Sequence, residues 1–398
     1  MTPARIRLGF VVSHPIQYHA PLFRRLDRSD IIDLEVLFLS RHGVEESYDA
    51  GFDAKIAYDV PLLDGFRHRF VPNWSPVPSP GSPLGLVNPG LAHVISRDRF
   101  DVLLVHGYAQ LSCWLTFAAA SARRLPYLLR GESRMDHEVQ LGSARRRAKQ
   151  ALLRPLVRHA AGCLAIGSGN REFYLAYGAR PERVSFAPYS VDNEAFAASG
   201  DVGRATRTER LLSLGLDPLL PVVLFAGKLQ PWKRPLDLVD AATCMERQAN
   251  FVFVGDGPLR SDLQDRTAGL PHARVVGFVN QREIGQWYGM ADVFVLPSAT
   301  EPWGLAVNEA MASGAVPVVS DAVGCADDLV DDATGAVVPV GAPADLAAAL
   351  DRILSSPDGL RARRERARER VGRFSLEATA AGIEAASVAA VAGARSRR

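Results

Sequence analysis

The sequence predicts an α/β protein made of two doubly wound domains with a cleft between them. Short apolar runs rich in β-branched residues alternate with helical stretches along the 398-residue chain, which is typical of parallel sheets covered on both faces. Twelve such runs are more than one open sheet of this kind usually holds. A polar, glycine-containing stretch at residues 197–218 separates them into two sets and is expected to be a linker.

The predicted strands fall evenly in the two halves. They span residues 6–12, 34–39, 102–105, 127–129, 163–166 and 184–186, then 222–226, 251–254, 274–276, 293–296, 316–319 and 336–338. We expect one domain over residues 1–200, joined by a C-terminal helix at about 375–398, and a second over 210–374. Ligands of such sheets bind beyond the carboxyl ends of the strands, so the site residues are expected there.

Composition and charge are those of an ordinary globular protein. Lys and Arg number 46 against 44 Asp and Glu, a formal net charge of +2, so no nucleic-acid partner is expected. The four cysteines lack metal-ligand spacing and indicate no disulfide framework, which fits a reducing cytosol. The N-terminus does not resemble a secretion signal. The apolar segment 102–122 is interrupted by His106 and Gln110, and it is predicted to be a strand, a loop and a helix rather than a membrane span.

Two glutamates stand in "PSATEPWGLAVNEAMASGAVPVV" with seven residues between them. Glu301 falls on the loop after a strand, and Glu309 about one turn into the next helix. A carboxylate suits a pair of vicinal hydroxyls because it accepts two hydrogen bonds side by side, and the free N–H groups of a helix N-terminus bind hydroxyls or phosphate. The alternative is a capping carboxylate and a solvated helix glutamate.

Neighbouring strand ends carry further polar groups. Lys228 and Lys233 follow a strand in "GKLQPWKRP", and two cations there suit a diphosphate leaving group; alternatively they are solvated lysines. The turn at Gly277 and Phe278 is predicted to flank a nucleobase. Four consecutive strand ends thus combine a glycine with a polar group at one predicted rim.

The order "GKLQPWKRP", "FVGDGPL", "VVGFV", "ADVFVLPSATEPWGLAVNEAMASGAVPVV" and "TGAVVP" closely resembles the retaining glycosyltransferases of family four, the sucrose-synthase-like and mannosyltransferase-like group. This resemblance implies the GT-B fold, two Rossmann-like domains facing a cleft. It implies that Lys228 and Lys233 contact the donor diphosphate, although the family more often has Arg at the position of Lys228. It also implies that Glu309 contacts the ribose, and Glu301 the donor sugar. The donor site thus predicted comprises Gly227, Lys228, Lys233, Phe278, Glu301, Glu309 and the backbone of Pro302, Trp303, Gly304 and Leu305.

The first half resembles a subgroup of bacterial glycosyltransferases with a His-Pro-x-Gln-Tyr start, here "SHPIQYHAPLFRRL". We predict that His14 and Gln17 line the cleft, with ordinary loop hydrogen bonding as the alternative. His106 follows a strand where the family has a His beside the donor sugar; otherwise it is a satisfied core histidine. Arg130 and Glu132 also follow a strand and are predicted to meet the acceptor.

A basic amphipathic helix is predicted at residues 143–161, "SARRRAKQALLRPLVRHAA". Such a helix suits an anionic membrane surface or a lipid-linked acceptor; the alternative is a solvated face. We expect a cytoplasmic protein, and for this helix the choice between peripheral contact at the inner face of the membrane and a solvated surface stays open.

The resulting prediction is a glycosyltransferase that uses a nucleotide-sugar as co-substrate and no cofactor. The acceptor is a small molecule, a polysaccharide or a lipid-linked molecule. Retention of configuration is implied by the resemblance alone, and the lysines are expected to stabilise the leaving group in place of a metal ion. A nucleotide-sugar 2-epimerase and a non-catalytic sugar-nucleotide-binding protein of the same fold are the alternatives.

Overall fold

The computed structural model describes residues 5–44, 47–49, 54–56, 58–139 and 142–396. The chain divides into two compact units. Unit 1 takes the described residues of Met1–Glu45, Pro61–Tyr189 and Leu376–Arg398, and unit 2 those of Glu46–Val60 and Ser190–Ser375. The last helix therefore belongs to the same unit as the first strand.

Strands and helices alternate along most of the chain. The strands are β1 (Ile6–Val12), β2 (Ile32–Phe38), β3 (Ser47–Asp49), β4 (Ala54–Ile56), β5 (His68–Phe70), β6 (Val102–His106), β7 (Tyr127–Arg130), β8 (Gly162–Ala165), β9 (Val184–Phe186), β10 (Val222–Ala226), β11 (Asn250–Val254), β12 (Ala273–Gly277), β13 (Val293–Leu296), β14 (Val316–Ser320) and β15 (Ala336–Val338). All twelve predicted strands are present, with ends within two residues of the prediction.

The helices cover the faces of the sheets. They are α1 (His19–Asp27), α2 (Leu91–Val94), α3 (Leu111–Ala122), α4 (Met135–Val139), α5 (Ser143–His159), α6 (Ser168–Ala176), α7 (Asn193–Ala205), α8 (Arg207–Ser213), α9 (Pro235–Cys244), α10 (Arg260–Thr267), α11 (Gln281–Met290), α12 (Leu305–Ser313), α13 (Ala326–Leu329), α14 (Pro343–Leu354), α15 (Pro357–Gly372) and α16 (Leu376–Arg395).

Unit 1 is built on a seven-stranded parallel sheet in the order β5-β2-β1-β6-β7-β8-β9. Side chains along a strand point alternately to its two faces, and β1 shows this directly. Phe10 packs in a core layer with residues of α1 and α16, whereas Val11 packs in a second layer with residues of α3, α5 and α6. Both faces of the sheet are therefore buried, which explains why its strands are continuous apolar runs.

Unit 2 contains a six-stranded parallel sheet in the order β12-β11-β10-β13-β14-β15. One core layer joins Val223 and Phe225 of β10 to Leu238 of α9 and Leu350 of α14. Helices α11 and α12 contact the strands as well. Both units are thus doubly wound α/β sheets, as predicted.

The prediction of a linker at residues 197–218 is wrong, because most of that stretch forms α7 and α8. Two of its three glycines, Gly200 and Gly203, are close packing contacts rather than flexible points. A Cβ at Gly203 would overlap the carbonyl oxygen of Gln286, and one at Gly200 would lie 2.5 Å from the carbonyl oxygen of Ser313. Small residues here let α7 lie directly against α11 and α12.

Two apolar segments are long enough to raise the question of a membrane. Residues 102–122 form β6, a short loop and α3, as predicted. By length and hydropathy alone, the helical residues Pro357–Arg395 could cross a membrane. Within that range, however, Ala380, Ile383 and Ala386 of α16 are buried in the core of unit 1, and core helices commonly meet the same two criteria.

Candidate functional site

The carboxyl edge of the unit 2 sheet brings the four predicted strand ends together. Strands β12, β11, β10 and β13 are neighbours in that order and run parallel. The loops that follow them therefore leave from one edge. Each polar residue predicted for the donor site lies in one of these loops or in the helix that follows the loop.

Two of these loops are tied together through their backbones. The N–H of Gly227 donates to the carbonyl of Val254 at 2.9 Å, and that of Leu229 to the carbonyl of Asp256 at 2.8 Å. A Cβ at Gly255 would overlap the carbonyl oxygen of Gly227, so glycine is required for this approach. Lys228, which is half-buried, is held between the two anchored residues.

Lys233 and Glu301 form an ion pair between the loops after β10 and β13. Only 20% of the Lys233 side chain and 15% of the Glu301 side chain are exposed. The N–H of Ala299 donates to the carbonyl of Trp232 at 2.7 Å, which joins the two loops next to the pair. The structure therefore brings together a predicted diphosphate-binding cation and a predicted sugar-binding carboxylate.

The loop that carries Glu301 is fixed by the segment after β14. The N–H of Gly324 donates to the carbonyl of Glu301, and that of Cys325 to the carbonyl of Trp303, both at 2.9 Å. A Cβ at Gly324 would overlap the carbonyl oxygen of Pro302. The backbone predicted to contact the donor sugar is thus rigidly supported.

Helix α12 begins directly after this loop. Gly304 has φ +98°, a left-handed conformation that favours glycine, and no side chain caps the helix. The Trp303 side chain is buried, and its Nε1 donates to Asn308 Oδ1 at 2.9 Å. Only the backbone of Trp303 is therefore suitably placed for a ligand, as the prediction assumed.

Two arginines that the sequence reading overlooked stabilise the other end of α12. Arg204 donates to the carbonyl of Gly314, and Arg368 to the carbonyl of Ser313, each at 3.4 Å. Cations at a helix C-terminus interact favourably with the helix dipole. Burial and the neighbouring arginines lower the pKa of Arg204 to about 10.

Glu309 lies on α12 and accepts a hydrogen bond of 3.0 Å from the hydroxyl of Tyr288. Burial raises the pKa of Glu309 to about 7, and the hydrogen bond from Tyr288 opposes that shift. Tyr288 is itself buried on α11. Because this tyrosine has no motif of its own, only the structure identifies it as the partner of Glu309.

Phe278, the predicted neighbour of a nucleobase, is 36% exposed. It follows Gly277, whose φ of +95° turns the chain sharply at the end of β12. About a third of its surface is therefore exposed at this edge.

The carboxyl edge of the unit 1 sheet also gathers predicted residues. His106 and Arg130 are paired in register at the ends of β6 and β7. Arg130, predicted to meet an acceptor, is instead fully buried and donates to the carbonyls of Ala187 and Pro188. It supports the chain after β9 rather than reaching solvent. Glu132 does reach solvent, with 38% of its side chain exposed.

His14 and Gln17 lie in the loop after β1, both partly buried. The His14 ring packs against His42 at 5.1 Å between ring centroids, and its Nδ1 lies 2.9 Å from the hydroxyl of Ser13. Burial, with a smaller effect of His42, lowers the pKa of His14 to about 4. The amide oxygen of Gln17 is buried and has no hydrogen-bond partner among the described residues.

No group of three or more His, Cys, Asp and Glu side chains is arranged to hold a metal ion in the part of the chain that the structure describes.

Several solved glycosyltransferases share this fold. Anabaena HepE, solved with UDP and glucose, has a TM-score of 0.70 at 17% identity, over 95% of this chain and 98% of that chain. Sucrose-phosphate synthase from Thermosynechococcus elongatus has a TM-score of 0.67 at 19% identity, over 95% of this chain and 97% of that one. Likeness at such identities establishes the fold.

The sequence itself matches two family models, one in each half. Residues 213–389 match "Glycosyl transferases group 1", and residues 20–190 match "Glycosyl transferase 4-like domain". The chain belongs to the family four glycosyltransferases of GT-B fold. Relatives within this family include D-inositol 3-phosphate glycosyltransferase 2 of Catenulispora acidiphila, 36% identical over 53% of this chain and 51% of the relative. The D-inositol 3-phosphate glycosyltransferase of Nocardia farcinica is 34% identical over 54% of this chain and 49% of that relative. The chain thus spans about half the length of the curated relatives it matches.

Proposed function

We propose that this protein moves a sugar from a nucleoside-diphosphate sugar to an acceptor hydroxyl, with retention of configuration and without a metal ion. One observation carries the proposal. Lys233 and Glu301 meet at the carboxyl edge of the unit 2 sheet, beside the uncapped start of α12, and the same helix carries Glu309. A cation, two carboxylates and a helix N-terminus are the groups that a sugar nucleotide requires.

Each of these groups has a specific proposed partner. Lys233 and Lys228 bind the diphosphate, and Glu309 binds the ribose diol. Glu301 and the backbone from Pro302 to the start of α12 bind the donor sugar. The solved complexes of the Anabaena neighbour contain UDP and UDP-glucose, so UDP-glucose is the first donor to try.

In the proposed reaction, the bond between the sugar C1 and the diphosphate oxygen breaks, and a bond from C1 to the acceptor oxygen forms. Negative charge grows on the leaving diphosphate, where the two lysines and the N-terminus of α12 stabilise it. The acceptor proton passes to the leaving phosphate oxygen on the same face of the sugar, which gives retention. Glu301 is engaged by Lys233 and acts as a donor-holding group rather than as the nucleophile of a glycosidase.

Two experiments test this function in order. A thermal-shift screen with UDP, GDP, ADP and TDP identifies the nucleotide, because bound ligand raises the melting temperature by mass action. Mass spectrometry then follows the matching nucleotide-sugar with and without candidate acceptors. Transfer to an acceptor supports the proposal. Conversion of the donor with no acceptor present would indicate the epimerase, and binding without any turnover the non-catalytic protein.

We further propose that the outward face of α5 contacts an anionic membrane surface at the cytoplasmic side. One surface depression of α5 is bordered by Arg147, Arg154 and Arg158, together with Gln150, Ala151, Pro155 and His159. These arginines form no ion pair with any described residue. Small apolar residues bordered by arginines suit the interface of a bilayer, and such contact would bring the enzyme to a lipid-linked acceptor.

A further inference from the structure

The carboxyl edge of unit 1 contains a hydrogen-bonded group of three side chains, Tyr189, Glu132 and His106. Tyr189 lies just after β9 and is buried. Its hydroxyl donates to Glu132 Oε1, and the same hydroxyl oxygen lies 3.2 Å from His106 Nε2. Glu132 is the most exposed of the three, with 38% of its side chain accessible against 11% for His106.

The protons available to this group indicate which ring nitrogen of His106 is protonated. A tyrosine hydroxyl carries one proton, and the carboxylate is the stronger acceptor for it. The contact with His106 is then a hydrogen bond only if Nε2 carries a proton and donates to the Tyr189 oxygen. This arrangement favours the Nε2–H tautomer of His106, in which the lone pair lies on its buried Nδ1, an atom with no partner among the described residues.

The His106 ring remains neutral in this position. Burial is the main cause, and the nearby Arg130 and His14 add to it, so that the pKa of His106 falls to about 3. His19, which is fully buried, packs edge-on against His106 at 4.9 Å between ring centroids. A neutral ring has one donor and one acceptor nitrogen, so its tautomer decides what it offers to a neighbour.

Tyr189 is itself held on several sides. The Arg130 guanidinium lies 4.7 Å from the centroid of its ring. The same side chain donates to the carbonyls of Ala187 and Pro188, immediately before Tyr189. Thr379 of α16 donates to the Pro188 carbonyl at 2.7 Å. The phenol ring is thus fixed before any ligand arrives.

We infer that Tyr189 is a positioning residue of the substrate site, whose hydroxyl sets the tautomer of His106 and orients the Glu132 carboxylate toward a substrate hydroxyl. This inference rests on the proposed function. Glu132 is the member of the group that reaches solvent, and a carboxylate is a natural acceptor for a sugar or polyol hydroxyl. A preset carboxylate loses less freedom when the substrate binds and reacts.

The tautomer can be measured without turnover. In the full-length protein with ¹⁵N-labelled histidine, long-range nitrogen–proton correlation spectra identify which ring nitrogen is protonated, and His106→Gln assigns the signal. We expect His106 to be neutral and protonated at Nε2 throughout the pH range of stability. A proton on Nδ1 would overturn the inference. Tyr174→Phe removes another buried hydroxyl of unit 1, one without a hydrogen-bonded side-chain partner among the described residues, and should leave the signal unchanged.

Kinetics tests the positioning role separately. We expect Tyr189→Phe to lower kcat about 10- to 100-fold, with the dissociation constant of the nucleotide unchanged and Tyr174→Phe near wild type. Because Tyr189 is proposed to act through Glu132, Tyr189→Phe added to Glu132→Ala should cost little more than Glu132→Ala alone. Additive losses, or wild-type turnover of Tyr189→Phe, would contradict the role. A wild-type protein that transfers no sugar would end the proposed function, while the spectra still decide the tautomer.

Discussion

Lys233 and Glu301 form an ion pair between two loops at the carboxyl edge of the unit 2 sheet, although 68 positions separate them in the chain. Most of the surface of each side chain is buried. An unpaired charge in such a position is costly, so each group neutralises the other in the absence of ligand. In the proposed function, a diphosphate would bind Lys233 alongside this pair and add a second anionic partner to the lysine.

Lys233→Ala should lower turnover of the identified nucleotide-sugar about 100-fold or more, because it removes a charge-stabilising donor to the leaving group. It also leaves the carboxylate of Glu301 without its cation. Steady-state release of nucleotide measures the effect. Arg361→Ala, which removes a cation from the exposed surface of α15, is the control and should have normal turnover. Normal turnover in Lys233→Ala itself would rule out the diphosphate role.

Glu309→Ala should weaken nucleoside-diphosphate binding itself, about 10-fold or more, because the ribose diol loses a charged acceptor. Since the pKa of Glu309 is about 7, wild-type affinity should rise from pH 6 to pH 8 as this carboxyl ionises. Calorimetric titration at both values measures it. Glu309→Gln should lose the part of the pH dependence that Glu309 contributes. Equal affinity of the wild type and Glu309→Ala would defeat the assignment.

The same carboxyl should affect stability in a defined pH window. Its pKa rises from the ordinary 4.5 to about 7 on folding, so the native state holds this proton more tightly than the unfolded state. The contribution is fully present below about 4.5 and is lost as the pH rises toward 7. Glu309→Gln can still accept the hydrogen bond from Tyr288. From pH 5 to pH 8, its free energy of unfolding should therefore rise by about 1–3 kcal/mol relative to that of the wild type. Denaturant unfolding at both pH values measures this, and a constant difference would contradict it.

Gly203→Ala should destabilise unit 2 by about 1–3 kcal/mol, because the added methyl group would overlap the carbonyl oxygen of Gln286. The matched control is Gly372→Ala in α15, where a Cβ meets no atom within 4 Å. That change should be neutral or stabilise by about 0.5–1 kcal/mol. Thermal and denaturant unfolding report both. If the two variants behaved alike, α7 would not pack as the structure shows.

The α5 surface should bind anionic vesicles. Replacement of Arg147, Arg154 and Arg158 by Ser should reduce sedimentation with phosphatidylglycerol vesicles at least about tenfold, at about 1 kcal/mol for each arginine near the surface. Phosphatidylcholine vesicles should bind neither protein. Replacement of the exposed Arg361 and Arg366 of α15 and of Arg373 directly after it removes the same charge elsewhere and should leave binding intact. Equal loss in both triple variants would indicate general electrostatic attraction.

The strands were predictable because a strand buried on both faces is a continuous apolar run, a signal carried by adjacent residues. The same reasoning missed β5, a three-residue edge strand of sequence HRF, and the pair β3 and β4. It also misread the glycines of α7 as a linker, since a glycine that permits close helix packing and one that permits flexibility look alike in sequence.

The sequence alone determined the family, the two parallel sheets and the edge that carries Lys233, Glu301 and Glu309, because these follow from local patterns and motif spacing. Only the tertiary structure decided which side chains meet: Lys233 with Glu301, Tyr288 with Glu309, and Tyr189 with Glu132 and His106. The structure also shows that Arg130 is buried. Such pairs join residues from different strands and helices, so they depend on strand order, register and packing, which no short stretch of sequence encodes.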